Sequence, residues 1–396
     1  MIEPKLRFKA DDGSQFPDWE EKTVGDITVE LQDYEPLSSG YPLMTSSRTG
    51  LMMQNEFRSK SSTDDSTAIF SVVPRGVATY RHMSDDDIFH FNINNLVDKG
   101  LVSKEYPVFN TKDNYNLYLL VEYLNSSRNF LNFCKAQKKG GTRTRLYFKV
   151  LKDFKLNMPS FPEQQKIAEF LSTVDTVIEK QKETVSAWEE RKKGVMQKLF
   201  SQEVRFKADD ESNFPEWEEK KLGEVFTERT ERSKGGESLL SVTIAQGIVK
   251  QSETDKRNIA SENKSNYKIV KKNDLAYNTM RMWQGAEGVS EYDGIVSPAY
   301  TVITAVDGNN SYFFETMFKQ TFMLQVFQRF SQGLTSDTWN LKFPAFSEIK
   351  CLIPCEDEQN KIVECVAVLD EVIEKQKATL AAWEELKKGL LQQMFC

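Results

Sequence analysis

Two stretches of this chain return almost unchanged later on, and no other feature constrains the fold as much. "RFKADDGSQFPDWEEKTVG" (Arg7–Gly25) comes back as "RFKADDESNFPEWEEKKLG" (Arg205–Gly223). "EQQKIAEFLSTVDTVIEKQKETVSAWEERKKGVMQKLF" (Glu163–Phe200) comes back as "EQNKIVECVAVLDEVIEKQKATLAAWEELKKGLLQQMF" (Glu358–Phe395). In 396 residues this makes almost two equal repeats of one plan: head, variable region, long helix. The segments are a head (1–22) that completes the helical region at the far end, and a first variable region (23–158). A central helical region with the second head (159–220), a second variable region (221–353) and a last helix (354–396) follow. Repeats that pack alike predict pseudo-two-fold symmetry with the termini close together, a circle cut at one point.

The long segments carry a seam. Ile167, Leu171, Val174, Ile178, Gln181, Val185, Trp188, Lys192, Val195 and Leu199 alternate spacings of four and three. Ile362, Val366, Leu369, Ile373, Gln376, Leu380, Trp383, Lys387, Leu390 and Met394 repeat the pattern. A heptad repeat held this long is the signature of a coiled coil. The simplest partner for each helix is the other, and two-fold symmetry makes the pair antiparallel. Docking of each helix on its own globular region is the alternative. Gln181 and Gln376 fall on the seam, where a polar residue costs stability and can fix register.

Charge separates along the same boundaries. The net charge is −7, which argues against a protein that coats nucleic acid by bulk electrostatics. Yet residues 23–158 carry 17 Lys and Arg against 15 Asp and Glu, and residues 221–353 carry 16 against 15. The acidity lives in the repeated segments, so either variable region can present a face to a duplex. No apolar run reaches the roughly 18–20 residues of a membrane span. The opening "MIEPKLRFKADD" lacks the apolar core of a signal peptide. Five scattered cysteines fit reduced thiols in a cytoplasmic protein, and Cys351 with Cys355 has only two distant histidines to complete a zinc set.

The variable regions share a plan. "DKGLVSKEYPVF" (Asp98–Phe109) lines up with "YDGIVSPAYTVI" (Tyr292–Ile303), a turn and then a strand. Each region next has an aromatic-rich helix, near "YLLVEYLNSSRNFLNFCKA" and "YFFETMFKQTFMLQVFQRF", read as core and not as a base-stacking platform. Each then has a glycine-bearing loop, "KKGGTRTRL" and "SQGLTSDTWNL". The fold class is therefore α/β, with two globular α/β domains separated by two long helices that form an antiparallel coiled coil.

Two diverged domains, each followed by a helix entered through "EQ.KI", resemble the specificity subunit of type I restriction-modification systems. "GYPLMTSSRTGLM" (Gly40–Met52), "NDLAYNTMRMWQGAEG" (Asn273–Gly288) and "GIVSPAYTVI" (Gly294–Ile303) look like segments of its target-recognition domains. The entry "P..EQ.KIA..L" runs from Pro159 to Leu171, and the second copy departs from it at Val363 and Val366. The resemblance implies a DNA-specificity subunit without chemistry of its own, in which each domain reads half of a split target. It implies helices that act as a spacer ruler and dock two methyltransferase subunits, with two restriction and translocation subunits completing the complex. A rigid rod suits that task, since it holds two reading heads at fixed distance and rotation along a duplex.

The residues show no tools for catalysis. There is no GxxxxGK(S/T), GxGxxG or HExxH pattern. Ser297-Pro298-Ala299-Tyr300 lacks the second proline of the adenine-methyltransferase element it approaches. His82 and His90 have no evident catalytic partner and read as surface or DNA-facing histidines. No catalytic residue, metal ligand or cofactor is expected.

Base readout needs Arg, Lys, Asn or Gln forks, with Ser and Thr in support. In the first domain the candidates are Arg48 in "TSSRTG", the pair Arg81 and His82, and Lys138, Lys139, Arg143 and Arg145 in "KKGGTRTR". In the second they are Asn278, Arg281 and Gln284 in "NTMRMWQG", and Gln332, Thr335 and Ser336 in "SQGLTSDT". A coiled-coil scaffold that never touches DNA, or a lone adenine methyltransferase, are the alternatives to a DNA-specificity subunit.

Overall fold

The computed structural model describes residues 4–54, 68–138, 140, 142–244, 246–253 and 263–395. It divides into two compact units, one of Met1–Glu183 with Lys377–Cys396 and one of Thr184–Gln376.

Two forty-residue helices, Phe161–Phe200 and Glu356–Phe395, each contribute to both units. They begin two residues before the repeated "EQ". In the first copy Pro162 sits in the opening turn, where a missing N–H costs nothing. In the second, Glu356, Asp357 and Glu358 place negative charge at the positive end of the helix dipole. Ile167, Leu171, Val174, Ile178 and Val185 are buried, while Gln181, Trp188, Lys192 and Val195 are half-buried. On the second helix Ile362, Val366, Ile373 and Met394 are buried, and Leu369, Gln376, Leu380, Trp383 and Lys387 are half-buried.

Within each unit the two helices run antiparallel. In the first, Ile167 and Leu171 share a core with Leu391, Met394 and Phe395. Further on, Asp175 meets Lys387 at 2.7 Å and Lys182 approaches Glu384 at 4.0 Å. In the second, Lys192 pairs with Asp370 at 2.5 Å, and Leu199 shares a core with Ile362. Advancing along one helix means retreating along the other.

The repeated "EQ" is explained by what packs on it. Arg7 donates from Nε and Nη2 to the fully buried Glu163 carboxylate, at 3.1 and 2.9 Å, and Trp19 Nε1 adds a third bond at 3.2 Å. Arg205 and Trp217 treat Glu358 the same way, at 3.1, 2.8 and 3.1 Å. The neighbouring glutamine reaches in another direction. Gln164 Oε1 accepts from Asn116 N and Gln359 Oε1 from Asn310 N, the residues that cap the aromatic-rich helices Leu117–Ser126 and Ser311–Phe318. One dipeptide thus ties a head and a domain helix to the start of each rod.

The expected proximity of the termini is borne out among the described residues. Lys5 and Leu6 donate their backbone N–H groups to Gln393 O at 2.9 and 3.2 Å. In the other unit the corresponding helix end runs covalently into its head.

Each unit builds one four-stranded antiparallel sheet of the same order. In the first it is Thr28–Glu30, Val108–Thr111, Ala78–Tyr80, Phe91–Ile93. In the second it is Phe226–Glu228, Tyr300–Ala305, Leu275–Asn278, Glu287–Val289. The aromatic-rich helices pack behind these sheets. Leu119, Leu120 and Leu124 are buried in one unit, and Phe313, Phe314 and Phe318 in the other. Among the described residues no helix is long and apolar enough to cross a membrane.

Candidate nucleic-acid interface

The glycine-bearing loops are joined to their domains by one device used twice. A fully buried tyrosine, Tyr80 or Tyr277, lies at or one residue before the end of its strand, Ala78–Tyr80 or Leu275–Asn278. Two residues beyond each tyrosine a carbonyl accepts from the backbone that closes the loop: Leu146 N to His82 O, and Leu341 N to Thr279 O, both at 2.8 Å. Each joint brings together two candidate segments that are far apart in the chain.

In the first unit three segments converge. A hairpin of Met44–Ser47 with Gly50–Met53 carries Arg48 at its turn. Asn92, from the four-stranded sheet, holds that hairpin by donating Nδ2 to Ser46 Oγ and Ser47 O, at 2.7 and 2.9 Å. The short strand Thr144–Arg145 pairs with Met83–Ser84. Arg48 and Arg81 line one depression with Ser46, Ser84, Asp85 and His90.

The candidates meet an acidic run, Asp85-Asp86-Asp87, whose residue type does not mark it as DNA-reading. Arg48 Nη2 donates to Asp86 Oδ1 at 2.5 Å, and Arg143 Nε donates to Asp85 Oδ1 at 2.7 Å. Lys138 Nζ lies 3.5 Å from Asp87, whose carboxylate also accepts from Thr144. The Ser84 hydroxyl, and after it the Arg48 guanidinium, hold the Asp86 carboxyl below its ordinary range despite slight desolvation. Three consecutive carboxylates thus take one cation each. Arg81 and Arg145 are exposed and make no ion pair among the described residues. Lys139 lies outside the described residues.

His82 is not where the sequence suggested. It is 3% exposed, its ring stacks on Tyr147 at 5.4 Å, and burial lowers its pKa. Tyr147, next to the residue that closes the loop, covers the ring. His90 is half-buried and its pKa is lowered, first by burial and then by the Arg48 charge.

The second unit presents different chemistry. Asn278 is half-buried and turns the chain by accepting Met280 N on its Oδ1 at 3.0 Å. Arg281 is exposed, without an ion pair among the described residues, and Gln284 is half-buried beside it. Gln332, Thr335 and Ser336 are exposed on a loop closed by paired backbone bonds between Gln332 and Asn340. Trp283 from one segment meets Trp339 from the other edge to face at 5.1 Å, a brace that the search for forks did not register. Gly333 is required in this loop: its φ is +145°, and a Cβ there would lie 2.6 Å from Thr338 O.

Comparison with known proteins agrees with this architecture. The family model for the type I restriction modification DNA specificity domain matches residues 89–186 and 215–382. Over 99 residues the chain is 34% identical to the type I restriction enzyme MjaVIII specificity subunit of Methanocaldococcus jannaschii, a match that covers 24% of this chain and 23% of that relative. The chain thus spans about a quarter of that relative's length. The crystal structure of a type I restriction-modification system S subunit from M. genitalium superposes with a TM-score of 0.53 at 16% identity, over 100% of this chain and 99% of that one. A chain from a study of complex assembly and conformational transition of the type I R-M system gives 0.53 at 13%, over 96% and 98%.

Proposed function

The chain belongs to the family of type I restriction-modification DNA specificity domains, and on that premise we propose that it reads duplex DNA of split sequence. Each unit reads one half of the target, and the chain does no chemistry itself. The observation that carries this reading is the joint built twice, Leu146 to His82 and Leu341 to Thr279, which presents different side chains in the two units. The first offers guanidinium groups beside carboxylates, and the second offers amides, hydroxyls and one arginine. Like scaffolds with unlike reading groups suit an asymmetric target of two dissimilar halves.

In this reading the forty-residue helices act as the ruler between the half-sites and dock two methyltransferase subunits. Two restriction and translocation subunits complete the complex, which acts in the cytoplasm. The segments 23–158 and 221–353 are the recognition domains, and 1–22, 159–220 and 354–396 form the framework. The DNA-facing set is Arg48, Arg81, Lys138, Lys139, Arg143 and Arg145 in one unit. In the other it is Asn278, Arg281, Gln284, Gln332, Thr335 and Ser336.

The test is to assemble the chain with its methyltransferase and map modified bases across a genome. A split motif with one constant gap is expected. Methylation of a short continuous site would overturn the ruler. Binding of S-adenosylmethionine by the chain alone would overturn the non-catalytic assignment.

A further inference from the structure

Carboxylates are poor company for a phosphate backbone, so three of them among the candidate reading residues call for a reason. Asp85, Asp86 and Asp87 take partners from two other segments: Arg48 from the hairpin, and Lys138 and Arg143 from the glycine-bearing loop. The arginines stay accessible, with 58% of the Arg48 side chain and 51% of the Arg143 side chain exposed. Exposed ion pairs add little to stability, so holding the fold together is a weak account of the arrangement.

The geometry is better suited to orientation. Arg143 uses Nε on Asp85, which leaves both terminal amino groups without a partner among the described residues. Arg48 uses one hydrogen of Nη2 on Asp86, which leaves donors on all three nitrogens. Asp86 is itself fixed, accepting from Ser84 Oγ at 2.8 Å and from Ile88 N at 3.4 Å. The strand pair of Ser84 with Thr144 then fixes the segment that carries Arg143 against the acidic run.

Charge points the same way. A guanidinium paired with a carboxylate has no net charge and gains little from displacing counterions at phosphates. It keeps the donor fork that matches O6 and N7 of guanine. Arg81 and Arg145, without ion pairs among the described residues, are the side chains suited to phosphates.

We propose that Asp85 and Asp86 are positioning residues that set Arg143 and Arg48 as charge-neutral forks for guanine edges, so that the half-site of the first unit carries guanines. The inference rests on the DNA-reading function above and names the bases that function recognises in one half of its target.

The test selects duplexes from a random-sequence pool with the full-length chain and sequences the retained fraction. The wild-type chain is expected to retain a split motif with fixed guanines in one half. Asp85→Asn with Asp86→Asn should lower discrimination for guanine in that half by about tenfold or more per position. The other half-motif should not change, while the salt dependence should steepen, because two guanidinium groups lose the carboxylates that neutralise them. A merely structural role would blur both halves or neither. Arg48→Lys with Arg143→Lys keeps the charges and removes the forks, so it should lose the same guanines even if the asparagine variant fails to fold. Wild-type guanine preference in either variant overturns the assignment. Tighter binding of every duplex by the asparagine variant, with both halves intact, also overturns it and makes the acidic run an internal competitor of phosphate. A wild-type chain that retains no motif removes the DNA-reading function itself, and this inference with it.

Discussion

Arg7 grips Glu163 from 156 residues away through two bonds to one fully buried carboxylate, and Arg205 repeats the grip on Glu358. Neither arginine belongs to a long helix; each belongs to the head that precedes a variable region. A buried carboxylate stripped of its cation is among the more costly defects in a protein. Among the described residues, Arg7→Ala leaves Glu163 with only the Trp19 bond, and Arg205→Ala leaves Glu358 with only Trp217. Each should cost about 3 kcal/mol in denaturant unfolding, at the low end of the range because each arginine is partly exposed. Losses below about 1 kcal/mol in both would show that the heads are not anchored by this pair.

Lys387 and Lys192 occupy matching seam positions in different surroundings. Lys387 lies 2.9 Å from Glu122 and 2.7 Å from Asp175, and its side chain is 18% exposed. Burial opposes its charge, and the Glu122 and Asp175 carboxylates outweigh that, so the ammonium titrates above its ordinary range. Among the described residues Lys192 pairs with Asp370 alone, and its side chain is 29% exposed, more than that of Lys387. Lys387→Met should therefore destabilise by about 2 kcal/mol and Lys192→Met by less than about 1 kcal/mol. Equal effects in thermal unfolding would mean that the junction with Glu122 contributes nothing.

What the sequence made legible and what it hid divide by range. The repeat, the heptads and the short path between the ends are periodic or local signals, and the helices follow them to within two residues at their starts. The "EQ" dipeptide was visible as a motif, but its reason was not, because Arg7 and Asn116 reach it from distant segments. The cations of the first unit were legible by type. Their partners were not, since Asp85–Asp87 lies 38 residues from Arg48 and 58 from Arg143 along the chain. The burial of His82 was not legible either, because Tyr147, which stacks on it, is distant in the chain.

Gln181 and Gln376 are half-buried on seams otherwise rich in apolar side chains. A polar seam residue trades stability for register. Gln181→Leu with Gln376→Leu should raise the unfolding midpoint or leave it unchanged, while loosening the register of the helices. The readout is the gap in the methylated motif of the assembled complex: more than one gap length is expected, and a single unchanged gap would count against the role.

Arg145 stands on a strand that carries it past the acidic run, without an ion pair among the described residues. Under the DNA-reading proposal Arg145 meets a phosphate, and loss of such a contact weakens binding to every sequence alike. Arg145→Ala should lower affinity for matched and scrambled duplexes by similar factors and flatten the dependence of log K on log salt by about one unit of slope. A loss confined to the matched duplex would instead place Arg145 at a base.

Glu287 is fully buried on a strand of the second unit, and neither carboxylate oxygen has a hydrogen-bond partner among the described residues. Lys319 Nζ is 3.8 Å away and Glu315 lies nearby, so one charge favours ionisation and the other opposes it. Burial is the larger effect and raises the Glu287 pKa well above its ordinary 4.5. The unfolded chain therefore loses this proton first as pH rises, and the native state binds more protons above about pH 4.5. That difference lowers stability by at most about 1.4 kcal/mol per pH unit until the folded-state value is passed. Glu287→Gln removes the dependence and leaves a fixed cost for a buried amide. Subtracting wild-type from variant stability should give a difference that is flat below pH 4.5 and grows in favour of glutamine toward neutrality. A difference that stays constant from pH 4 to pH 7 would mean that Glu287 titrates normally and that Lys319 compensates its charge in full.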